Sequence, residues 1–207
     1  MSDQPELKPA VNDPRIAYFN ALAAEWDLEE PSADSMVARL NQHRALLGLK
    51  PGQALLEVGC GTGKTTSWLV KQVAPGRVTA IDFAPQMLAA AQTKGIDADF
   101  ACLDVCCDSL GSACYDVVLC LHSFPHFRDQ PAALRNLAAA LKPGGRLLVM
   151  HFAGSKQIND FHAGVDGPVS VDVLPQGDDW HALLAQAGLK QVQLIDREDL
   201  FFLEAAR

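Results

Sequence analysis

The feature that most constrains this chain is a glycine-rich turn between a predicted strand and a predicted helix. Three glycines, Gly59, Gly61 and Gly63, follow the apolar segment 54–58, and a helical pattern resumes at Thr65. Glycine is needed where a chain turns tightly and where backbone must approach a ligand without an intervening β-carbon. Glycines at this density also cost conformational entropy that packing alone does not offset. The run therefore predicts a ligand-binding turn.

The chain around this turn alternates between short apolar runs and amphipathic stretches. The apolar runs predict strands, at 54–58, 77–81, 99–103, 115–120 and 146–151. The amphipathic stretches predict helices, at 65–73, 85–94 and 131–141. Strands that alternate with helices imply an α/β fold, in which a parallel sheet carries helices on both faces.

The two ends of the chain depart from this alternation. We divide the chain into residues 1–48, a disordered lead (1–11) with two cap helices (14–26 and about 34–47), and residues 49–207, the ligand-binding domain. Within that domain, residues 152–177 have no clear period and are long for a loop, so we predict a lid-like insertion there. A helix at 179–187, capped by Asp178, and two strands at 191–195 and 200–205 predict a closing antiparallel hairpin.

Composition excludes several classes of function. The chain has 207 residues, 17 of them basic and 25 acidic, for a net charge of −8, whereas a duplex-binding surface is basic. No apolar run reaches the roughly 18–20 residues that cross a bilayer, and the polar N-terminus does not resemble a signal peptide. We therefore expect a cytoplasmic protein with no nucleic-acid or membrane partner. The sequence does not specify an oligomeric state.

Two other glycine motifs compete for the same residues. Gly63-Lys64-Thr65 resembles the end of a P-loop of an NTPase, but Val58 stands where that motif needs its first glycine. The fourth strand also ends without an aspartate for magnesium. A nicotinamide-dependent oxidoreductase uses Gly-x-Gly-x-x-Gly, and here the third glycine comes one residue too early. Both remain weaker alternatives.

An acidic residue strengthens the nucleoside-binding interpretation. Asp82 ends the second predicted strand, nineteen residues beyond Gly63, where a carboxylate can accept both ribose hydroxyls. Four further segments complete the pattern: Glu57-Val58-Gly59-Cys60-Gly61-Thr62-Gly63, Pro85-Gln86-Met87-Leu88, Asp104-Val105 and Leu141-Lys142-Pro143-Gly144-Gly145-Arg146. With these segments, the sequence resembles the class I S-adenosylmethionine-dependent methyltransferases. Within them it is most similar to the quinone-biosynthesis-like small-molecule methyltransferases.

The resemblance implies a Rossmann-like sheet of seven strands, mostly parallel, with S-adenosylmethionine as the cofactor. The glycine turn would lie under the methionine part of the cofactor, Asp82 would bind the ribose, Phe83 would touch the adenine and Asp104 would take the adenine amine. The cofactor-binding residues that it implies are Glu57, Gly59, Cys60, Gly61, Gly63, Asp82, Phe83, Met87, Asp104, Val105 and Cys120.

Four of the six histidines lie where the acceptor should bind. They follow or end predicted strands, or lie in the aperiodic segment, and ligands of this fold class bind beyond the carboxyl ends of strands. An imidazole titrates near neutral pH and can serve as a general base. We predict that His126 and His151 are catalytic and line the acceptor pocket. The predicted substrate contacts are Trp26, His122, Phe124 and His162.

The same histidines leave two other interpretations open. Imidazoles from His126, His151 and His162, with Asp160 or Asp172 nearby, would suit a metal ion, but no ligand-spacing motif predicts one. Each histidine can also be an ordinary hydrogen-bonded residue at a strand end or in a loop. The cysteines, all between residues 60 and 120, lack paired Cys-x-x-Cys spacing and are predicted to pack as small apolar side chains.

The resemblance implies methyl transfer from S-adenosylmethionine to a small-molecule acceptor. A sulfonium is already an activated methyl donor, so the main task of such an enzyme is to align donor and acceptor and to exclude water. A protein that binds S-adenosylmethionine without catalysis is the alternative from another functional class.

Overall fold

Seven strands form one sheet in the computed structural model, which describes residues 13–28 and 31–207. They are β1 (Ala54–Val58), β2 (Arg77–Asp82), β3 (Asp99–Cys102), β4 (Tyr115–Leu121), β5 (Leu141–His151), β6 (Lys190–Arg197) and β7 (Leu200–Ala206). Their order in the sheet is β3-β2-β1-β4-β5-β7-β6. Pairs among β1 to β5 are parallel, whereas β7 is antiparallel to both β5 and β6. The predicted α/β sheet with a closing hairpin is therefore confirmed.

Helices cover both faces of the sheet. They are α1 (Pro14–Leu22), α2 (Ala33–Gln42), α3 (Arg44–Leu47), α4 (Thr66–Val73), α5 (Pro85–Gln92), α6 (Gln130–Ala140), α7 (Ser155–Ala163) and α8 (Asp178–Gln186). Short 3₁₀ turns form at Phe124–His126 and Pro168–Val171. Local signals set several of these boundaries. The Asp129 carboxylate, for example, accepts the Ala132 amide hydrogen bond at the start of α6, and Gly48 ends α3 in the left-handed conformation.

The apolar core lies in two layers, one on each side of the sheet. Successive residues of β4 alternate between them: Val118 and Cys120 pack into one layer, and Val117 and Leu119 pack into the other. Side chains of successive strand residues point to opposite faces, so a sheet covered on both faces needs continuous apolar strands. This explains why the central strands read as unbroken apolar runs in the sequence.

The segment predicted as an aperiodic lid contains regular structure. Residues 152–177 include α7 and the 3₁₀ turn at Pro168–Val171. The buried positions of α7 are Ser155, Ile158 and His162, two of which are polar. A hydrophobic period is absent because polar side chains occupy the buried face of the helix. The sequence pattern therefore did not indicate this helix within the predicted lid-like insertion.

Other boundaries differ where tertiary contacts outweigh local preference. Helix α1 ends at Leu22 rather than at Trp26, and the following turn places the Asp27 carboxylate 2.5 Å from the Thr62 hydroxyl. Strand β5 begins at Leu141, five residues before the prediction, because Leu141 pairs with Tyr115 of β4.

Two predictions at the ends of elements also change. Asp178 is the first residue of α8 and not its cap, which is Gly177, without a side-chain hydrogen bond. The disordered lead predicted for residues 1–11 lies outside the described residues.

Among the residues that are described, no helix has the length and apolar character needed to span a bilayer.

Candidate active site

A pocket opens at the carboxyl ends of β1, β2 and β4, where the central parallel strands stop. It encloses about 730 Å³ of empty space, its open mouth included. Its lining comprises Asp13, Phe19, Trp26, Val58, Gly59, Gly61, Ile81, Asp82, Phe83, Met87, Leu103, Asp104, Val105, Cys106, His122, Ser123, His126, Phe127 and Arg128. Ligands of open parallel sheets bind at this edge, between strands whose connections diverge to opposite faces.

The glycine turn forms the floor of the pocket. Gly59 has φ +74° and Gly61 has φ +56°, both in the left-handed region that glycine adopts without strain. The amides of Gly59 and Cys60 donate to the Ile81 carbonyl, which joins the turn to the end of β2. A β-carbon on Gly59 would lie 2.4 Å from the Ser123 β-carbon. The turn therefore leaves a side-chain-free stretch of backbone against the pocket, which fits a ligand at close approach.

Glu57 lies below this turn rather than on the pocket wall. Its carboxylate is buried and accepts hydrogen bonds from the hydroxyls of Thr65, at 2.9 Å, and Thr66, at 2.6 Å. Burial raises the pKa of Glu57 to about 7, although both hydroxyls favour the ionised form. Glu57 thus ties β1 to the start of α4 and holds the turn between them.

Asp82 is the acid that the sequence assigns to the ribose. It lines the pocket, and its two oxygens accept the backbone N–H groups of Gly61 and Ala84, each at 2.8 Å. Burial raises the pKa of Asp82, against the effect of these backbone hydrogen bonds. Each carboxylate oxygen retains acceptor capacity after one hydrogen bond. The carboxylate therefore fits a vicinal diol.

The wall beside Asp82 is apolar and ends in a second acid. Phe83, Met87 and Val105 supply the apolar surface, and Asp104 lies next to Val105. The Asp104 carboxylate accepts the Cys106 amide at 2.8 Å and also contacts the Arg128 guanidinium. A flat apolar slot with a carboxylate at its edge suits a purine base that carries an amino group.

Aromatic side chains from the N-terminal part close the pocket opposite the sheet. The Phe19 ring of α1 makes edge contacts with Phe83, at a centroid distance of 5.8 Å, and with Trp26, at 6.1 Å. Phe19 also lies 5.1 Å from the His126 ring. Phe19 was not among the predicted site residues, because its spacing in α1 resembles that of any core-facing aromatic.

His126 lies on the pocket wall and contacts a buried carboxylate. Its Nδ1 lies 2.7 Å from Asp172 Oδ2, and the other oxygen of Asp172 accepts hydrogen bonds from the Arg15 guanidinium. Burial raises the pKa of Asp172, but hydrogen bonds from His126 and Arg15 outweigh that effect and keep it below its usual value. Sequence reasoning considered Asp172 only as a metal ligand and missed Arg15.

His122 lies at the end of β4 with unusual backbone geometry. Its φ is +57°, which is rare for a residue with a β-carbon and marks a strained position. Its Nε2 is buried and has no hydrogen-bond partner among the described residues, and burial lowers the pKa of His122 to about 4. His122 is therefore a neutral imidazole on the pocket lining, and its Nε2, unpartnered among those residues, is buried.

His151 lies behind His122 and does not line the pocket. Its ring centroid is 5.1 Å from that of His122, and it is only 3% exposed. Its Nε2 likewise lacks a partner within the described part of the chain. Burial and the neighbouring imidazoles hold the pKa of His151 well below its usual range. The four histidines thus form two contacting pairs, since His126 lies 5.1 Å from His162.

The remaining predicted site residues lie away from the pocket lining. These are Cys60, Gly63, Cys120, Phe124 and His162. Phe124 is fully buried, and His162 Nδ1 lies 3.0 Å from the Asp172 carbonyl, so His162 supports the segment that carries Asp172. Within residues 13–28 and 31–207, no group of three or more His, Cys, Asp or Glu side chains is arranged to hold a metal ion.

Known proteins share this fold and this sequence pattern. Residues 56–149 match the family described as a methyltransferase domain. The O-methyltransferase rstn1 of Aspergillus nomiae is 30% identical over 172 residues, which cover 74% of this chain and 72% of that protein. The ubiquinone biosynthesis O-methyltransferase of Xanthomonas oryzae is 32% identical over 142 residues, which cover 63% of this chain and 57% of that protein.

A solved structure extends the likeness to nearly the whole chain. The DhpI–SAH complex aligns with a TM-score of 0.74 at 20% identity, over 96% of this chain and 98% of that one. At this identity the likeness shows the shared fold. The resemblance read from the motifs is confirmed, and it displaces the P-loop and nicotinamide alternatives. The chain belongs to the class I S-adenosylmethionine-dependent methyltransferases.

Proposed function

We propose that this methyltransferase methylates a hydroxyl oxygen of a small organic acceptor. The observation that carries this proposal is the contact between His126 Nδ1 and the buried Asp172 carboxylate, at 2.7 Å, on the wall of the cofactor pocket. A hydroxyl must lose its proton as it is methylated, and a positioned imidazole can accept that proton. Two relatives, from Aspergillus nomiae and Xanthomonas oryzae, are named O-methyltransferases.

The cofactor fits the pocket through residues already described. Asp82 would hold the ribose, the slot formed by Phe83, Met87 and Val105 would hold the adenine, and Gly59 and Gly61 would allow close approach of the backbone. When bound, S-adenosylmethionine supplies a methyl group that its sulfonium has already activated. The chain therefore needs to align the acceptor and to manage one proton.

The contact with Asp172 orients the His126 imidazole so that it can accept that proton. If the imidazole donates its Nδ1 hydrogen to Asp172 Oδ2, its Nε2 is left as the nitrogen that accepts. The buried carboxylate then stabilises the imidazolium that forms, because opposite charges attract strongly away from water. His122 also lines the pocket, but its Nε2, unpartnered within the described part of the chain, is buried, so we assign it no contact with the acceptor.

Of the segments outside the central sheet, the N-terminal cap lines the pocket directly, and the segment 152–177 acts on it through the contact of Asp172 with His126. Phe19 and Trp26 come from the N-terminal cap, and Asp172 comes from the segment 152–177. The aromatic rings of Phe19 and Trp26 exclude water from the reacting groups. We therefore propose that residues 13–48 and 152–177 act as the cap and lid of a methyltransferase domain that spans residues 49–207.

Product analysis tests this proposal. The purified protein would be incubated with deuteriomethyl-labelled S-adenosylmethionine and separate panels of phenols, alcohols, carboxylic acids, amines and thiols. We expect labelled ethers from the hydroxyl panels. Exclusive labelling of carboxylate, nitrogen or sulfur acceptors would overturn the proposal.

Matched variants test the role of His126. His126→Gln and Asp172→Asn should lower kcat by roughly 10²- to 10⁴-fold, as expected for the loss of a general base. His181→Gln, at an exposed position of α8, is the control for removal of an imidazole. Binding of S-adenosylhomocysteine, measured by calorimetry, should persist in all three variants and show that the cofactor pocket is intact. Unchanged turnover in His126→Gln would contradict the base assignment.

A further inference from the structure

Helix α1 forms part of the pocket wall, and the side chains that hold it there are only partly buried. Phe19 of α1 lines the pocket, and so does Asp13 at its N-terminal cap. None of the nine residues of α1 is fully buried. Burial of apolar surface is the main force that fixes a helix on a domain. Because Phe19 and Leu22 supply only partly buried apolar contacts, the polar contacts of α1 also contribute to its docking.

One of these contacts reaches the segment 152–177. The Arg15 guanidinium donates from Nε to Asp172 Oδ1 at 2.8 Å, and its Nη2 donates to the same oxygen. The Arg15 side chain is 14% exposed and that of Asp172 is 1% exposed, so the pair is largely shielded from water. Arg15 also contacts the Asp13 carboxylate, at 3.4 Å. A shielded, charge-assisted pair of this kind is stronger than a surface ion pair.

The same carboxylate holds His126. Asp172 Oδ1 faces Arg15 and Asp172 Oδ2 faces His126 Nδ1, so one side chain joins α1 to the turn that carries the imidazole. With Arg15 in place, the plane of the carboxylate is fixed and Oδ2 is directed at Nδ1. Without Arg15, the Asp172 carboxylate keeps one of these two partners and is freer to rotate.

We propose that Arg15 is a positioning residue that couples the docking of α1 over the pocket to the orientation of His126. This inference rests on the proposed role of His126 in proton transfer. The pocket admits ligands when α1 lifts, and the return of α1 restores the Arg15–Asp172 contact together with the aromatic wall of Phe19. The site is therefore complete only when it is closed, which keeps water from the reacting groups.

The test combines amide exchange with turnover in five variants, the His126→Gln single variant among them. Three single variants would be compared with the wild type: Arg15→Ala, Arg15→Lys and the control Arg135→Ala, at an exposed position of α6. Arg15→Ala would also be built in the His126→Gln background. Hydrogen–deuterium exchange of residues 14–22, with S-adenosylhomocysteine bound, reports the docking of α1 without reference to activity.

The coupling predicts a specific pattern. Arg15→Ala should accelerate exchange in residues 14–22 and lower kcat by roughly 10- to 100-fold, the range for loss of a hydrogen bond between charged groups. Arg15→Lys, which keeps the charge but not the paired donors, should fall between Arg15→Ala and the wild type. In the His126→Gln background, Arg15→Ala should still accelerate exchange but should barely change kcat further, because Arg15 acts through His126.

Two results would overturn the coupling. Exchange that is unchanged in Arg15→Ala would show that Arg15 does not hold α1. A loss of kcat of equal size in both backgrounds would show that Arg15 acts independently of His126. Failure of the proposed function is distinguishable, because it would appear as full activity in the His126→Gln single variant. The exchange data alone would then report whether Arg15 docks α1.

Discussion

Gly59 and Ser123 lie in such close contact that a β-carbon on Gly59 would stand 2.4 Å from the Ser123 β-carbon. Ser123 cannot move aside easily, because its hydroxyl donates to the Val58 carbonyl at 2.6 Å. The contact joins the glycine turn after β1 to the segment after β4 that carries His122 and His126. The glycine turn and the segment that carries the two histidines therefore meet at this point of the pocket.

A comparison of two alanine variants isolates this contact. Gly52 has φ +86° with open space around its missing β-carbon, so Gly52→Ala introduces backbone strain only, about 1–2 kcal/mol. Gly59→Ala adds the clash with Ser123 and should cost about 1–3 kcal/mol more. Urea unfolding measures the difference, and calorimetry should show loss of S-adenosylhomocysteine binding in Gly59→Ala alone. Equal destabilisation of the two variants would contradict the close packing.

Burial of Glu57 predicts an unusual dependence of stability on pH. The folded protein holds the pKa of Glu57 at about 7, against an ordinary value of 4.5. As pH rises from 4.5 to 7, the unfolded chain ionises first, so Glu57 makes the folded state progressively less stable, by at most about 3 kcal/mol. Glu57→Gln removes this effect and can still hydrogen-bond the hydroxyls of Thr65 and Thr66.

Urea unfolding at pH 5 and pH 8 measures this effect. The free energy of unfolding of Glu57→Gln, relative to that of the wild type, should increase from pH 5 to pH 8. The exposed-site control Glu25→Gln should show no such increase. A constant difference between Glu57→Gln and the wild type would contradict a protonated Glu57 in the folded state at low pH.

The cofactor half of the site was predictable because its signals are local. Gly59 and Gly61 lie in the turn after β1 and Asp82 ends β2, and the apolar strands themselves identify the sheet edge at which they lie. A short glycine turn and an acid at a strand end have the same geometry wherever the sheet is parallel. Seven strands follow from the alternation of elements together with the closing hairpin, whereas their order in the sheet comes from the structure.

The acceptor half was less predictable because its contacts are distant in sequence. Asp172 is 46 residues from His126 and 157 from Arg15, so no spacing rule links the three. Burial also separates similar residues: His126 lines the pocket, whereas His151 ends the neighbouring strand β5 and lies behind His122. Their positions at or after strand ends predicted that both histidines lie at the carboxyl-end edge of the sheet. Those positions did not predict which of the two reaches the cavity.

Asp82→Asn should weaken cofactor binding. The two oxygens of Asp82 accept N–H groups from Gly61 and Ala84, so an amide would oppose one of these donors with its own N–H groups. Calorimetry with S-adenosylhomocysteine should show an affinity loss of roughly 10- to 100-fold, from this mismatch and from the weaker acceptor offered to the ribose. Asp97→Asn, at an exposed position, is the control. Equal affinities in the two variants would contradict the place given to Asp82.

The buried imidazole of His151 should make the stability of the folded protein sensitive to acid. Burial and the neighbouring imidazoles keep the pKa of His151 well below its ordinary value of 6.5, so the folded protein holds it neutral. As pH falls below 6.5, the unfolded chain binds a proton at this position and the folded state does not, so stability decreases as the pH is lowered. His151→Phe should remove this component, and urea unfolding at pH 5 and 8 would measure it against the exposed-site control His181→Phe.

The same variant tests whether His151 takes part in catalysis. His151 does not line the pocket, so turnover of His151→Phe should stay within about threefold of the wild type, under 1 kcal/mol in the barrier. The comparison is made at pH 8, where both proteins are fully folded, and His126→Gln is assayed beside it. A loss as large as that of His126→Gln would restore His151 as a catalytic residue, and it would require His122 to move aside and open a path from the cavity to the buried imidazole.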